Sequence, residues 1–451
     1  MKLVCTTSMT SLCCSILLGF GVTCADKSVR DEFLTWGGSD EVYASDVVVD
    51  QSGNKYIAGA FDGTVDFDPG PGELERNSDA REDSYLLKLD SENRISWVLT
   101  GDRPRSGSDV FRLSMDGASN IYLCGELGDI TAWGYSDQAF LVGNLSDDES
   151  LLAKVSPQGQ LLWAVPITLG SLATVFGLAV SDTGESYICG DVPTSRATRV
   201  DRHDKDAFVA KFDNVGRVVW ERIWGGEGWD VLRSIAVSDT GDVFACGHFS
   251  GSVDFERDSS IPPLTSSNPL DKWSWDAFLV KIGSEGNFAW ARDWKGPGLE
   301  EATAIAVTPS DSVFVTGTFD RAISFGLPGF EAQYSSSGGT DIFVSKLDVD
   351  GNPEWITTFG GDYFDEANDI SAPSEGKLYI VGRYWGTSGP AEGFISRLGD
   401  QGHLDWLRKF EAIRANAVAL GPDGAVWIAG EVLSAQEKSL FDAFLKRVED
   451  F

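Results

Sequence analysis

The sequence is poor in the residues on which most enzymes and nucleic-acid binders rely. It holds three histidines in 451 residues, His203, His248 and His403, one in each of three repeats. It has no HExxH, no CxxC, no Walker-type GK[ST] and no GxSxG, which removes zinc-protease, dithiol, phosphate-loop and nucleophile-elbow chemistry from the reading. Positive charge is scarce as well: 36 Lys and Arg face 69 Asp and Glu, for a net charge of −33. A field of that sign repels phosphate backbones and anionic membrane surfaces, so a nucleic-acid partner is not expected. No apolar run after the N-terminus approaches the 18 or so residues of a membrane span. Helical periodicity beyond two turns is rare too, and 50 glycines break the chain into short segments with turn signals between them.

The N-terminus is the exception. Met1-Lys2 is followed by SLCCSILLGFGV at 11–22 and then TCAD, the order of charge, apolar core and small residues found in an export signal. Residues 1–25 are therefore read as a signal peptide, with secretion or a periplasmic or cell-envelope location expected, and with Cys24 a candidate for lipid attachment. Of the seven cysteines, Cys5, Cys13, Cys14 and Cys24 fall in this segment or at its edge. Cys124, Cys189 and Cys246 remain, in the phrases YLCG, YICG and FACG. Other copies of the phrase carry Ala58, Thr316, Val381 or Ala429 there, so cysteine serves as a small buried residue and not as a disulfide partner.

That phrase is the key to the chain. Aligning on its glycine gives Gly59, Gly125, Gly190, Gly247, Gly317, Gly382 and Gly430, each two or three residues after an aromatic. Around each lies an apolar strand, a tight turn, the aromatic-x-x-Gly strand, and a polar excursion. A strand with an acid at its start and a base five residues on comes next (Asp83/Lys88, Glu149/Lys154, Asp206/Lys211, Asp276/Lys281, Asp341/Lys346, Glu392/Arg397, Asp442/Arg447), then a second turn and a Trp-bearing strand. Self-similarity at this period means a repeat architecture. Four short strands per unit is the pattern of a propeller blade.

The fold class expected is all-β: a seven-bladed β-propeller of four-stranded blades over residues 31–451. Its blades run 44–100, 109–166, 175–223, 232–293, 302–358, 367–410 and 415–451. The last copy stops after its third strand, and the orphan stretch EFLTWGG at 32–38 matches RIWGG at 222–226. The N-terminal strand, 31–36, is therefore expected to complete blade 7 and remove its open edge. GTVDF at 63–67 and GSVDF at 251–255 read as strand extensions whose Phe packs outward or between blades.

The phrasing GNKYIAGAF, GTVDFDPG and DAFVAKFDNVG resembles the secreted bacterial β-propeller repeat proteins of the SBBP type. The resemblance covers essentially the whole chain after the N-terminal segment. It implies the propeller and little about activity, because that family has no common catalytic residues. Asp213, Gly216 and Trp220 are spaced similarly to the tryptophan-docking repeats of quinoprotein propellers, without their Thr-Gly-Lys. SDTGESY at 181–187 and SDTGDVF at 238–244 have sialidase Asp-box spacing, but Val180 and Val237 stand in place of its leading Ser. A tight turn with Gly in the left-handed position accounts for both.

A job done seven times is structural, so the strand acids and bases are assigned to pairing and capping. LDVDGN at 347–352 and VDFDPG at 65–70 are the calcium candidates, with Asp66 and Asp68 as ligands; calcium aside, no cofactor is expected. Recognition is assigned to the face where the long loops and inter-blade links emerge. That face is expected to gather Asp40, Glu41, Tyr43, Trp229, Asp230, Glu300, Glu301, Tyr363, Asp365 and Glu366. Trp133, Tyr135, Arg196, Arg199, Arg202, His203, Trp273 and Trp275 join them from the loops. Tyr43, Trp229, Asp230, Tyr363, Asp365, Trp273 and Trp275 are the leading binding residues, since aromatics among acids suit a protein or glycan surface. The function expected is a secreted, monomeric, non-catalytic module that binds an extracellular protein or polysaccharide. The alternative is a glycan hydrolase or lyase using carboxylates of the same face.

Overall fold

The computed structural model describes residues 32–78, 82–101, 112–126, 150–169, 173–193, 204–255, 262–271, 273–326, 333–374, 376–385, 392–411, 413–434 and 440–449. Glu32–Phe451 forms one compact unit. Every regular element among the described residues is a β-strand, and six four-stranded antiparallel sheets, with a seventh that the hairpin Thr64–Asp66 and Glu75–Asn77 extends from four strands to six, make a seven-bladed β-propeller. The innermost strands, Val42–Val49, Arg112–Met115, Thr174–Val180, Val231–Val237, Glu300–Val307, Asp365–Ser374 and Ile413–Leu420, pack one against the next round the axis. The last closes on the first. The N-terminal strand Phe33–Gly38 pairs with Phe441–Val448 and supplies the fourth strand of blade 7. Trp36 stands opposite Ala443 as Trp224 stands opposite Ala207, the match the sequence suggested.

The repeated glycine has a physical cause. In six blades the pairing of the first two strands skips one inner-strand residue: Ser45, Phe176, Arg233, Thr303, Asn368 or Asn416. Such a bulge bends the inner strand and turns the extra side chain out of the ladder. It also drives an inner-strand carbonyl against the second strand. A Cβ on Gly59, Gly190, Gly247, Gly317, Gly382 or Gly430 would lie 1.9–2.0 Å from that oxygen, a distance only glycine avoids.

The aromatic of the phrase shields the base of the third strand. Lys88, Lys154, Lys211, Lys281 and Lys346 hold their ammonium groups 4.8–5.7 Å from the ring centres of Tyr56, Tyr122, Tyr187, Phe244 and Phe314. Most of the bases also pair with acids of neighbouring turns. Lys154 meets Asp116 at 3.0 Å, Lys211 Glu185 at 2.9 Å, Lys281 Asp242 at 2.8 Å and Arg447 Asp423 at 3.1 Å. The bases thus find their acids in neighbouring turns and not at the start of a third strand.

Blades are joined on the turn side by tryptophan. Trp97, Trp163, Trp220, Trp290 and Trp355 donate Nε1–H to carbonyls in the second turn of the following blade, at 2.8–3.3 Å. Each ring lies under that turn's glycine: Gly159, Gly216, Gly286, Gly351 or Gly402, all at positive φ. Cross-blade packing also explains the extension hairpins. Phe255 and Phe325 lie 5.7 and 5.8 Å from Trp224 and Trp294 on the last strands of the preceding blades. Phe67 is fully buried against Phe61 and Tyr85.

Candidate funnel on the loop face

The bulged residues converge. Ser45, Phe176, Arg233, Thr303, Asn368 and Asn416, with Arg112, line a cavity of about 710 Å³ at the loop-side mouth of the central channel. A second ring widens it: Tyr43, Glu301, Glu366 and Arg414 from inner strands, with Thr318, Arg383 and Glu431 directly after the repeated glycines. Glu41, Glu82 and Phe441 complete the rim. The lining carries four arginines and five glutamates, close to neutral in a chain of net charge −33.

Much of this polarity holds the ring shut. Thr303 donates to Ala367 O at 2.7 Å, Asn368 to Ala415 O at 2.8 Å and Asn416 to Ala44 O at 2.9 Å, each bridging to the next blade. Arg112 does the same toward Phe176 O at 3.0 Å. Arg233 is paired with Glu301 and lies over Phe176, while Arg414 is paired with Glu431 at 3.1 Å and lies over Phe441. Burial alone would raise Glu301, but His248 at 3.2 Å and Arg233 outweigh it and hold the carboxyl down at about 2. Arg383 differs from these, because its buried Nε has no hydrogen-bond partner. Below the funnel a cavity of about 190 Å³ contains Asp46 and Asp369. They accept main-chain N–H groups of adjacent blades, from Leu113 and Val418 at 2.8 Å. Burial, with Asp46 opposite, pushes Asp369 up to about 7.

The structure distributes the sequence-derived candidates differently from one another. Tyr43, Glu41, Glu301 and Glu366 line the funnel. Trp273 and Tyr363 are exposed, 63% and 42%, away from its lining. Trp229 and Trp275 stand behind the wall, packed with buried His248 at centroid distances of 5.0–6.0 Å. Asp230, Glu300 and Asp365 have no exposed surface. Each accepts a backbone N–H of an inter-blade link, from Gly226, Gly298 and Gly361 respectively, and Asp365 accepts a second from Trp385 after the second strand of its own blade. They cap these links because the chain turns inward there with its amides unpaired. Asp66 accepts from the amides of Asp68 and Leu74, and Asp68 from that of Gly70, so both carboxylates stabilise their own turn. Among the described residues no group of three or more His, Cys, Asp or Glu is gathered as for a metal. Cys24, Trp133, Tyr135, Arg196, Arg199, Arg202 and His203 lie outside the described residues. Arg112, Phe176, Arg233, Arg383 and Arg414 were not singled out from sequence, although a readable signal existed. The residue after each repeated glycine runs Ala60, Glu126, Asp191, His248, Thr318, Arg383, Glu431, the variable word in an otherwise fixed phrase.

No family model matches the chain. Among curated proteins, the regulatory protein FlaEY of Caulobacter vibrioides is 29% identical over 153 residues, 34% of this chain and 15% of that protein. The uncharacterized WD repeat-containing protein L264 of Acanthamoeba polyphaga mimivirus is 29% identical over 116 residues, 26% of this chain and 8% of that protein. The matched segments thus span less than a fifth of either relative. Among solved structures, the Dos1 propeller is similar with a TM-score of 0.48 at 8% identity, covering 92% of this chain and 95% of that one. The WD40 domain of Neurospora crassa Pan2 gives 0.38 at 9% identity, covering 76% and 89%.

Proposed function

We propose that this propeller is a binding module that receives a protein segment or a glycan at the funnel. One observation carries the reading: the six bulged residues, together with Thr318, Arg383 and Glu431 after three of the repeated glycines, differ from blade to blade while the surrounding framework repeats, and they meet in one cavity. Side chains that build a blade need to be the same in each; side chains that read a ligand need not be. The mouth combines guanidinium and carboxylate groups with Tyr43, Phe176 and Phe441, the mixture suited to a polar, shape-specific partner. The surrounding negative field would speed the approach of a partner with a basic surface. Secretion, indicated by the N-terminal segment, would make that partner extracellular. The reading as a hydrolase or lyase is the weaker one, because three of its four carboxylate candidates, Asp230, Glu300 and Asp365, are sealed from solvent and Asp40 alone is partly exposed.

The test is a peptide-display and glycan-array screen of the purified protein, repeated with Arg383→Ala and Arg414→Ala. Hits lost in these variants and retained in a turn-side variant such as Asp423→Ala support the funnel. Hits indifferent to both funnel substitutions move the binding surface elsewhere.

A further inference from the structure

Three of the four arginines that line the funnel have partners within the fold. Arg112 donates to Phe176 O at 3.0 Å, Arg233 is paired with Glu301, and Arg414 is paired with Glu431 at 3.1 Å. Arg383 is the exception. Its Nε is enclosed without a hydrogen-bond partner, and among the described residues its guanidinium makes no ion pair, although it stands on the cavity wall. The omission is not for want of an acid. Glu366 lies directly opposite Arg383 in the ladder of blade 6 and lines the same cavity. Blade 7 carries the same two charges at the equivalent positions with the strands exchanged, Arg414 opposite Glu431. There the side chains meet; in blade 6 the pair is left open.

A guanidinium is charged at any physiological pH and offers five N–H donors, so holding one half-buried without a partner costs solvation that nothing in this fold replaces. The acceptors beside it are open as well. Asn368 and Asn416 spend their amide N–H groups on Ala415 O and Ala44 O, which leaves both Oδ1 atoms on the cavity wall without a hydrogen bond among the described residues. This sector therefore presents one fork of donors, one carboxylate and two amide oxygens, and its complement is an anion with a cation and N–H groups next to it. The planar fork matches a carboxylate through two parallel bonds, whereas a phosphate would set a second negative charge more against Glu366. A uronate sugar supplies the carboxylate but no cation for Glu366. A peptide chain ending in a basic residue supplies the carboxylate, the cation and the amides together. The cavity also narrows from about 710 Å³ to the one of about 190 Å³ below it, a shape that takes the end of a chain more readily than its middle.

We infer, resting on the reading of the funnel as a binding site, that its blade 6 sector takes the C-terminal end of a protein chain. Arg383 holds the free α-carboxylate, Glu366 holds a basic side chain among the last residues, and Asn368 and Asn416 accept amide N–H groups of the same segment. The negative field of the chain, at a net charge of −33, draws such a basic tail toward the mouth, and the guanidinium fixes which end of it enters.

The experiment uses the full chain and one random octapeptide library made twice, with free C-terminal carboxylates and with C-terminal amides, and measures the enriched sequences singly by fluorescence anisotropy. The result expected is enrichment of free acids with Lys or Arg near their end, each binding at least about tenfold tighter than its own amide. In Arg383→Ala the acid and the amide bind alike, and Arg383→Lys, which keeps the charge and loses the fork, retains part of the difference. Glu366→Gln keeps the preference for the acid and loses that for a basic residue. Circular dichroism of each variant checks that it folds. Peptides that bind equally well as acids and as amides, and are weakened by Arg414→Ala, would overturn the proposal and leave the funnel reading in place. So would uronate-bearing glycans as the ligands that Arg383→Ala abolishes. No binding from either library and from a glycan array, or binding indifferent to every funnel substitution, would overturn both.

Discussion

The two faces of this propeller are built from the same seven repeats and use them in opposite ways. On the turn side every described blade junction from the first to the fifth repeats one contact, an indole under a glycine of the next blade. On the loop side one bulged position carries Ser45, Phe176, Arg233, Thr303, Asn368 and Asn416 in six blades. Uniformity on one face holds the ring; variety on the other makes a surface that differs in every direction. Repetition therefore identifies the scaffold, and departure from it at a structurally fixed position identifies where selection acted on something else.

Substitutions can break this contrast at several strengths. Gly382→Ala is expected to do most, because its Cβ would meet Glu366 O at 1.9 Å. A loss of about 3 kcal/mol or more in denaturant unfolding is expected, and a smaller loss would show that the bulge yields. Next is Trp220→Ala, which empties a buried site and removes the bond to Ser284 O, at about 3 kcal/mol. Trp406→Ala sharpens the test: its Nε1 is buried without a partner, so the cost is expected to fall about 1 kcal/mol short of Trp220→Ala. Equal losses would mean that the hydrogen bond adds nothing to docking.

A weaker effect is expected inside the channel. Asp369 is raised from an ordinary value of 3.8 to about 7, so the folded state favours its protonated form. The stability this gives is fully present below its ordinary value and is lost as pH rises through about 7. Melting temperature is expected to fall between pH 5 and pH 8, with a shallower fall in Asp369→Asn; identical slopes would place the titration elsewhere. Smallest of all, Arg383→Ala is expected to move stability by less than about 0.5 kcal/mol, because its Nε has no partner to lose. A large loss would make Arg383 part of the scaffold and remove it from the variable surface.

The sequence exposed the scaffold because scaffold positions recur. The glycine phrase, the Trp strand and the unmatched EFLTWGG at 32–38 sufficed to count blades and close the ring. The bulge was not legible, since it is a fact of pairing register, and with it went Phe176 and Arg233, which look like ordinary inner-strand residues until the skipped pairing turns them into the channel. Depth was equally hidden. Asp230 and Tyr363 both sit in links and read alike, yet one is sealed around Gly226 and the other is 42% exposed. Burial depends on how two blades meet, and that is not written within either repeat.

The N-terminal strand has a consequence for synthesis. Trp36 finds its partner at Ala443, roughly 400 residues later, and translation at about 5–20 residues per second separates the two by some 20–80 s. During that interval the strand's attachments are to blade 1, Gly37 and Gly38 against Asp66 and Val65 and the Trp36 indole N–H to Tyr85 Oη, and the edge that pairs with Phe441–Val448 stands open. The ring is therefore assembled open and locked last, so a nascent chain interrupted before blade 7 holds six folded blades and no circle.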